Sequence, residues 1–272
     1  MNQLDAELGR RVAIDAVNLA GEFIHEHMFD RLSIRYKGDG GDVVTTLDTS
    51  AERIIIDEIR RTFPDHAIVA EESGSLSGDG EFTWLVDPLD GTNNLAIGLP
   101  VLAVGVALCR RRTPILSAVH DPVSKRTWSA IKDRGAWDND GKAIRAPERS
   151  SRRGPVLAWL QGYDVRRDGD PQAILDALIR HGHRLLDLWA PLPCWLMLAK
   201  GDIDGIVGYD VGDLDLHAGR LIATEAGAVV RNLHGEAHST QVSGKQKHRV
   251  VAALPGEIDK LTEVVSESIR SL

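Results

Sequence analysis

The sequence predicts a mixed fold, α/β of the α+β kind. Three observations carry this: helical periodicity near the start, a series of apolar runs broken by turn residues up to position 131, and strand and helix patterns alternating from 156 onward. Leu4, Leu8, Val12, Val17, Ala20 and Ile24 recur at helical spacing, which gives a long amphipathic helix. A second helix begins near Asp48 to Ser50, where small polar residues can cap it, and ends at Phe63 before Pro64. "AIVA" (67–70) and "FTWLVD" (82–87) read as buried strands that stop at acids. Val101 to Cys109, Ile115 to His120 and Thr127 to Ile131 follow as a meander, so the sheet there is expected to be antiparallel.

A polar stretch, "RAPERSSRRGP" (145–155), then separates two patterns. Beyond it, Val156 to Leu160 reads as a strand, Pro171 to Arg180, Pro191 to Lys200 and Leu214 to Ala226 as helices, and Val250 to Ala253 with Glu257 to Ile269 as a closing strand and helix. The expected organisation is an N-terminal lobe, 1–150, carrying most of the acidic site, and a C-terminal lobe, 151–272, completing it. The two form one compact unit.

Composition narrows the function. The chain has 272 residues, 43% apolar and 26% charged, which is ordinary for a globular protein with a sizeable core. Its net charge of -8 disfavours a nucleic-acid partner, which needs a basic face. A small anionic substrate stays compatible if metal ions supply positive charge. The first residues, "MNQLDAELGRR", lack the apolar segment of a signal peptide, and the longest apolar stretch, Pro100 to Cys109, is too short to span a bilayer. Cys109 and Cys194 sit in apolar runs, as core residues of a reducing compartment. The expected location is the cytoplasm, away from membranes.

The run "WLVDPLDGT" (84–92) ends a buried strand in two aspartates. Pro88 fixes a backbone angle between Asp87 and Asp90, so both carboxylates and the Leu89 carbonyl can face one point. Hard cations such as magnesium take oxygen ligands of this kind. Gly91 permits close backbone approach, and the segment from Thr92 to Leu95 can start a helix whose free amides attract phosphate. Taken alone the stretch reads equally as an acid-capped turn. Three further acidic sites lie at comparable junctions: Asp48 at a helix start, Glu71 just past a strand, and Asp213 with Asp215 at another helix start. Each singly reads as a cap or a solvated acid, but jointly they point to a metal site.

These pieces resemble the inositol monophosphatase superfamily of magnesium-dependent, lithium-sensitive phosphatases. The matching motifs are D-x-V-T-x-x-D ending in Asp48, the pair Glu71 and Glu72, W-x-V-D-P-L-D-G-T from Trp84 to Thr92, and Asp215 followed nine residues on by T-E-A-G from Thr224. The resemblance runs from the N-terminal helix to about Leu254. It implies a five-layered α-β-α-β-α sandwich shared with fructose-1,6-bisphosphatase, a homodimer, and two or three Mg2+ per site. Glu71, Asp87, the Leu89 carbonyl, Asp90 and Asp215 would hold the metals. Asp48, Thr92 and Glu71 would serve catalysis, Thr92 donating to Asp48 so that the pair orients an attacking water. The Gly91 and Thr92 amides would hold phosphate oxygens. The substrate would be a small phosphate monoester, with inositol, histidinol and aminosugar phosphates, fructose 1,6-bisphosphate and 3'-phosphoadenosine 5'-phosphate as candidates; a regulatory protein on the same fold is the alternative.

Departures from the family pattern fall on the substrate wall. Leu214 stands where a tryptophan is usual, Gly208 where an acid touches substrate hydroxyls, and "WAPL" (189–192) replaces a helix start of small residues. Trp189 and Ala190 are therefore candidate substrate contacts. Asp210 and Asp213 read either as loop acids or as replacements for the missing acid. "DNDG" (138–141) reads as a hairpin turn, the pairs His25/His27 and His181/His183 complete no zinc site, and "GKQKHR" (244–249) is a small basic patch. No phosphate-binding loop of the kinase or dinucleotide type is present.

Overall fold

The computed structural model describes residues 3–30, 35–37, 42–78, 80–148, 153–244 and 247–270. In chain order the elements are α1 (Gln3–His27), β1 (Arg35–Lys37), β2 (Asp42–Val44), α2 (Thr46–Thr62), β3 (Ala67–Ala70), β4 (Gly74–Leu76), β5 (Phe82–Asp90), α3 (Thr92–Ala96), β6 (Ala103–Arg110), β7 (Thr113–Asp121), β8 (Arg126–Ile131), β9 (Gly135–Trp137) and β10 (Ala143–Ile144). The second half continues with β11 (Val156–Gln161), α4 (Gly169–His181), β12 (Arg184–Asp187), α5 (Pro191–Lys200), β13 (Gly205–Val211), α6 (Asp213–Glu225), β14 (Val229–Arg231), β15 (His248–Ala253) and α7 (Ile258–Arg270).

Alternation along the strands builds the layers. In β5, Trp84 and Val86 join the cluster formed with α1 and α2, while Leu85 between them joins the cluster formed with α5 and α6. The same reversal recurs in β11, where Ala158 and Leu160 face α5 and α6, and Leu157 and Trp159 face α4 and α7. Each sheet is thus apolar on both faces, which is why its strands read as continuous hydrophobic runs. The stack is α1 and α2, an eight-stranded sheet of order β10-β9-β8-β7-β6-β5-β3-β4, α5 and α6, a five-stranded sheet of order β12-β11-β13-β15-β14, then α4 and α7. These are the five expected layers. The meander β6-β7-β8 is antiparallel, as its turn-separated runs imply.

The strands of the larger sheet end at Ile144 and those of the smaller begin at Val156. Of the polar stretch between them, 149–152 lie outside the described residues. The "DNDG" turn does close a hairpin, with Trp137 opposite Ala143 and the Asp138 amide donating to the Lys142 carbonyl at 2.9 Å.

Two readings need adjustment. Helix α2 starts at Thr46 rather than near Asp48 to Ser50, because Thr45 is its N-cap and Asp48 lies inside the first turn. Strand β13 was not anticipated; its two glycines and Asp210 break the apolar run, yet it lies at the centre of the smaller sheet.

Candidate metal and phosphate site

Asp87 and Asp90 are three residues apart, a spacing that in a regular strand sends side chains to opposite faces. Here Asp87 lies opposite Gly105 and Asp90 opposite Ala103, so three steps on β5 match two on β6. The extra residue makes a β-bulge where Pro88 and Leu89 sit, and a proline there removes no regular ladder bond. The bulge restores parity and brings both carboxylates to one face. That face is the one covered by α5, since a Cβ on Gly105 would lie 2.4 Å from Leu192 Cδ1.

Both acids are buried, Asp87 to 3% exposure. Burial drives the Asp87 carboxyl well above the usual carboxylate range, and the charges of Asp90, Glu71, Asp215 and Asp48 push it further. The Asp90 carboxyl is raised by burial and then by Asp215, against the Leu192 amide, which lowers it; Glu71 adds to the rise. That amide belongs to the first turn of α5, where backbone N–H groups have no partner within the helix. The four predicted acidic metal ligands therefore lie near enough for their charges to act on one another, and Asp48 acts on Asp87 as well. Asp87 Oδ1 is buried without a hydrogen-bond partner. Buried Asp87 and Asp90, the first with an unused oxygen, beside half-buried Asp215 and exposed Glu71 are the all-oxygen donor set of a hard dication, so the residues fit Mg2+.

Asp48 is fully buried and its oxygens are divided between two tasks. Oδ2 accepts the Thr45 amide at 2.7 Å and the Thr45 hydroxyl at 2.6 Å, closing the cap of α2. Oδ1 accepts the Thr92 hydroxyl at 2.6 Å. Thr92 Oγ1 also lies 2.9 Å from the Leu89 carbonyl. The hydroxyl has one proton, and the shorter, charge-assisted bond to Asp48 claims it. This leaves lone pairs on Thr92 Oγ1 and on the Leu89 carbonyl facing one another. The Asp48 carboxyl is itself raised by burial, against the bonds from Thr45 and Thr92.

Gly91, the residue before α3, has φ +97°, and a Cβ there would sit 2.5 Å from the Val101 carbonyl and 3.3 Å from Ala190 Cβ. Ala190 is thus buried against the Gly91 turn, while Trp189 beside it is 52% exposed. Helix α3 spans five residues.

One positioning residue escaped the sequence reading. Glu52, buried one helical turn after Asp48 on α2, accepts the Glu72 amide at 2.7 Å and the Ser73 amide at 2.9 Å. It holds the turn that carries Glu71. The signal was present: an acid on the inward face of an amphipathic helix.

At the start of α6, Asp215 Oδ2 lies 3.3 Å from the Gly212 amide, so this acid both caps its helix and faces the carboxylate group. A cleft of about 550 Å3 opens beside it, lined by Glu71, Tyr163, Leu214, Asp215 and Lys247 among others. Asp210, at φ +55°, is paired with Arg249 at 2.7 Å. Asp213 borders the cleft, but its carboxylate accepts bonds from His217, His248 and the Ser243 and Gly244 amides. Burial alone would raise it; these bonds hold it far below the usual carboxylate range. Both acids thus carry intramolecular partners.

Cys109 and Cys194 are buried free thiols, both pushed up by burial, Cys109 to about 12. They are core residues. His25 and His27 bond backbone carbonyls. Among the described residues no helix is long and apolar enough to cross a membrane.

Comparison with known proteins identifies relatives over nearly the whole chain. A model described as the inositol monophosphatase family matches residues 5–270. The Nus factor SuhB of Pasteurella multocida is 35% identical over 253 residues, covering 89% of this chain and 90% of the relative. Inositol monophosphatase 1 of Solanum lycopersicum is 30% identical over 275 residues, covering 94% and 96%. The solved structure of a Thermotoga maritima IMPase superposes with a TM-score of 0.82 at 26% identity, covering 97% of this chain and 98% of that one.

Proposed function

Because the chain belongs to the inositol monophosphatase family, we propose that it hydrolyses a small phosphate monoester by attack of water at a magnesium site. The observation that carries the reading is the bulge in β5, which sets Asp87 and Asp90 on one face with an unused Asp87 oxygen between acidic neighbours.

Glu71, Asp87, the Leu89 carbonyl, Asp90 and Asp215 would hold two or three Mg2+. Bound there, the ions supply charge against the phosphate oxygens and make water acidic enough to ionise near neutral pH. The protein's own part is positional. The Thr92 hydroxyl, its proton committed to Asp48, offers a lone pair to the attacking water and fixes its direction. Asp48 would receive that water's proton through Thr92. Amides of Gly91 and Thr92 would bind phosphate oxygens where the positive φ at Gly91 exposes the backbone. The α5 terminus holds Asp90 through the Leu192 amide.

The substrate is proposed to be an inositol phosphate or a related sugar or polyol phosphate seated in the cleft beside Asp215. Tyr163, which lines the cleft, is an exposed aromatic suited to the ring face of a polyol, and Trp189, next to Ala190, is a second exposed aromatic proposed as a substrate contact. Asp210 and Asp213, already engaged within the protein, would shape the wall through their partners. Histidinol phosphate, aminosugar phosphates, fructose 1,6-bisphosphate and 3'-phosphoadenosine 5'-phosphate are the other classes to test. We also propose a cytoplasmic homodimer. A regulatory role on the same fold is the second reading, favoured by relatives named Nus factor SuhB.

The test is phosphate release from these esters with magnesium, with chelator and with lithium. Selective release that requires magnesium supports the proposal and identifies the substrate class. No release from any ester with magnesium present would favour the regulatory reading.

A further inference from the structure

A second constellation lies two residues before Asp215. Asp213 and His217 are four apart on α6 and share one helix face. His248 opens β15, opposite Val211 at the end of β13, and so reaches the same place from another element. The His217 Nε2 lies 3.0 Å and the His248 Nε2 2.7 Å from the same atom, Asp213 Oδ1. The three ligating atoms all fall within 4.8 Å of one another, and this is the one such group among the described residues. His217 and His248 are 1% and 6% exposed, and their rings meet edge to face.

Hydrogen bonding alone accounts poorly for this convergence. A carboxylate offers about four acceptor sites spread over two oxygens. Here Oδ1 faces both imidazoles, the Ser243 amide at 3.0 Å and the Ser243 hydroxyl at 3.3 Å, which exceeds its lone pairs. Oδ2 takes the Gly244 amide at 2.6 Å and the same hydroxyl at 3.2 Å. Two imidazole nitrogens and a carboxylate oxygen within 4.8 Å of one another, the carboxylate steadied by backbone amides, are the donor set and outer support of a metal centre. We propose that Asp213, His217 and His248 ligate a borderline dication, Zn2+ by donor type, at a site separate from the proposed magnesium site. Imidazole nitrogen favours zinc over magnesium, which prefers an all-oxygen shell.

The nearby cationic Arg220 is held by other partners. Arg220 is spent on the His238 ring and on the Ser239 and His238 carbonyls. His238 turns its Nδ1 to that arginine. A bound ion would fasten the 238–244 loop to the first turn of α6, which carries Asp215 and borders the cleft.

The experiment uses the full chain, stripped with chelator and titrated calorimetrically with Zn2+ in the presence of excess Mg2+. The expected result is one Zn2+ per chain, insensitive to Mg2+ and retained in Asp90→Asn. In His217→Gln and His248→Gln the affinity should fall by at least ~100-fold. Co2+ added to the wild type gives a check that does not depend on the variants folding, because nitrogen-ligated cobalt produces visible absorption bands. Absence of those bands, displacement of Zn2+ by Mg2+, or unchanged affinity in folded glutamine variants would overturn the proposal.

Discussion

Replacing Thr92 by valine removes one hydroxyl at nearly constant shape and tests the pairing on which the proposed chemistry depends. The lost bond is short and charge-assisted, 2.6 Å to a fully buried carboxylate. Such bonds contribute roughly 1.5–3 kcal/mol, so a chain of this size should melt about 3–12 °C lower. Turnover should fall further, because in the proposed mechanism the hydroxyl also directs the water. Proton-transfer groups contribute about 100- to 10,000-fold, equivalent to roughly 2.7–5.4 kcal/mol of barrier.

The pH dependence carries a sign. Thr92 lowers the Asp48 carboxyl while burial raises it, so the valine variant should shift the acid limb of kcat/KM to higher pH. A carboxyl that binds its proton more tightly folded than unfolded favours the fold at low pH. That advantage disappears as pH rises from the ordinary carboxylate value through the raised one, so the stability deficit of the variant should widen toward neutral pH. Thr92→Ser, which keeps the hydroxyl, should restore both rate and profile. Steady-state kinetics and thermal melts from pH 5 to 8 read all of this. A valine variant within about tenfold of wild type in turnover, with an unshifted acid limb, would refute the assigned role.

Three other substitutions probe the surroundings. Asp90→Asn should abolish magnesium-dependent turnover yet raise the melting temperature in chelator at neutral pH, because it removes a buried charge that Asp215 and Glu71 repel; a lower melting temperature in chelator would contradict that reasoning. Glu52→Gln should weaken the hold on the Glu71 turn, raising the magnesium concentration needed for half-maximal rate by about tenfold with the saturated rate kept, as outer-shell changes do. Gly91→Ala forces a side chain into φ +97° and within 2.5 Å of the Val101 carbonyl, costing roughly 2–4 kcal/mol in a denaturant melt; an unchanged melt would show that the turn can move.

How far the residues alone reveal this arrangement depends on the range of the interaction. The long amphipathic helix α1, the meander and the acid-terminated β5 depend on local periodicity, and each is plain in the chain. The bulge is only half legible: Pro88 marks an irregularity, but its effect on parity appears only when β5 is set against β6. Asp48 shows why a cap and a site acid are not exclusive readings, since one oxygen closes α2 and the other meets Thr92. The bonds of Glu52 and the meeting of Asp213 with His248 are not legible for a different reason. These partners lie twenty and thirty-five residues away, and His248 reaches Asp213 only after β13, itself hidden by its glycines, pairs with β15.

The central claim is that a strand bulge builds a dication site from Asp87, Asp90 and their acidic neighbours. Calorimetric titration of Mg2+ into the wild type and into Asp87→Asn tests it most directly. The account predicts saturable binding to the wild type that is lost in the folded variant. No binding to the wild type, or equal binding to both, would contradict it.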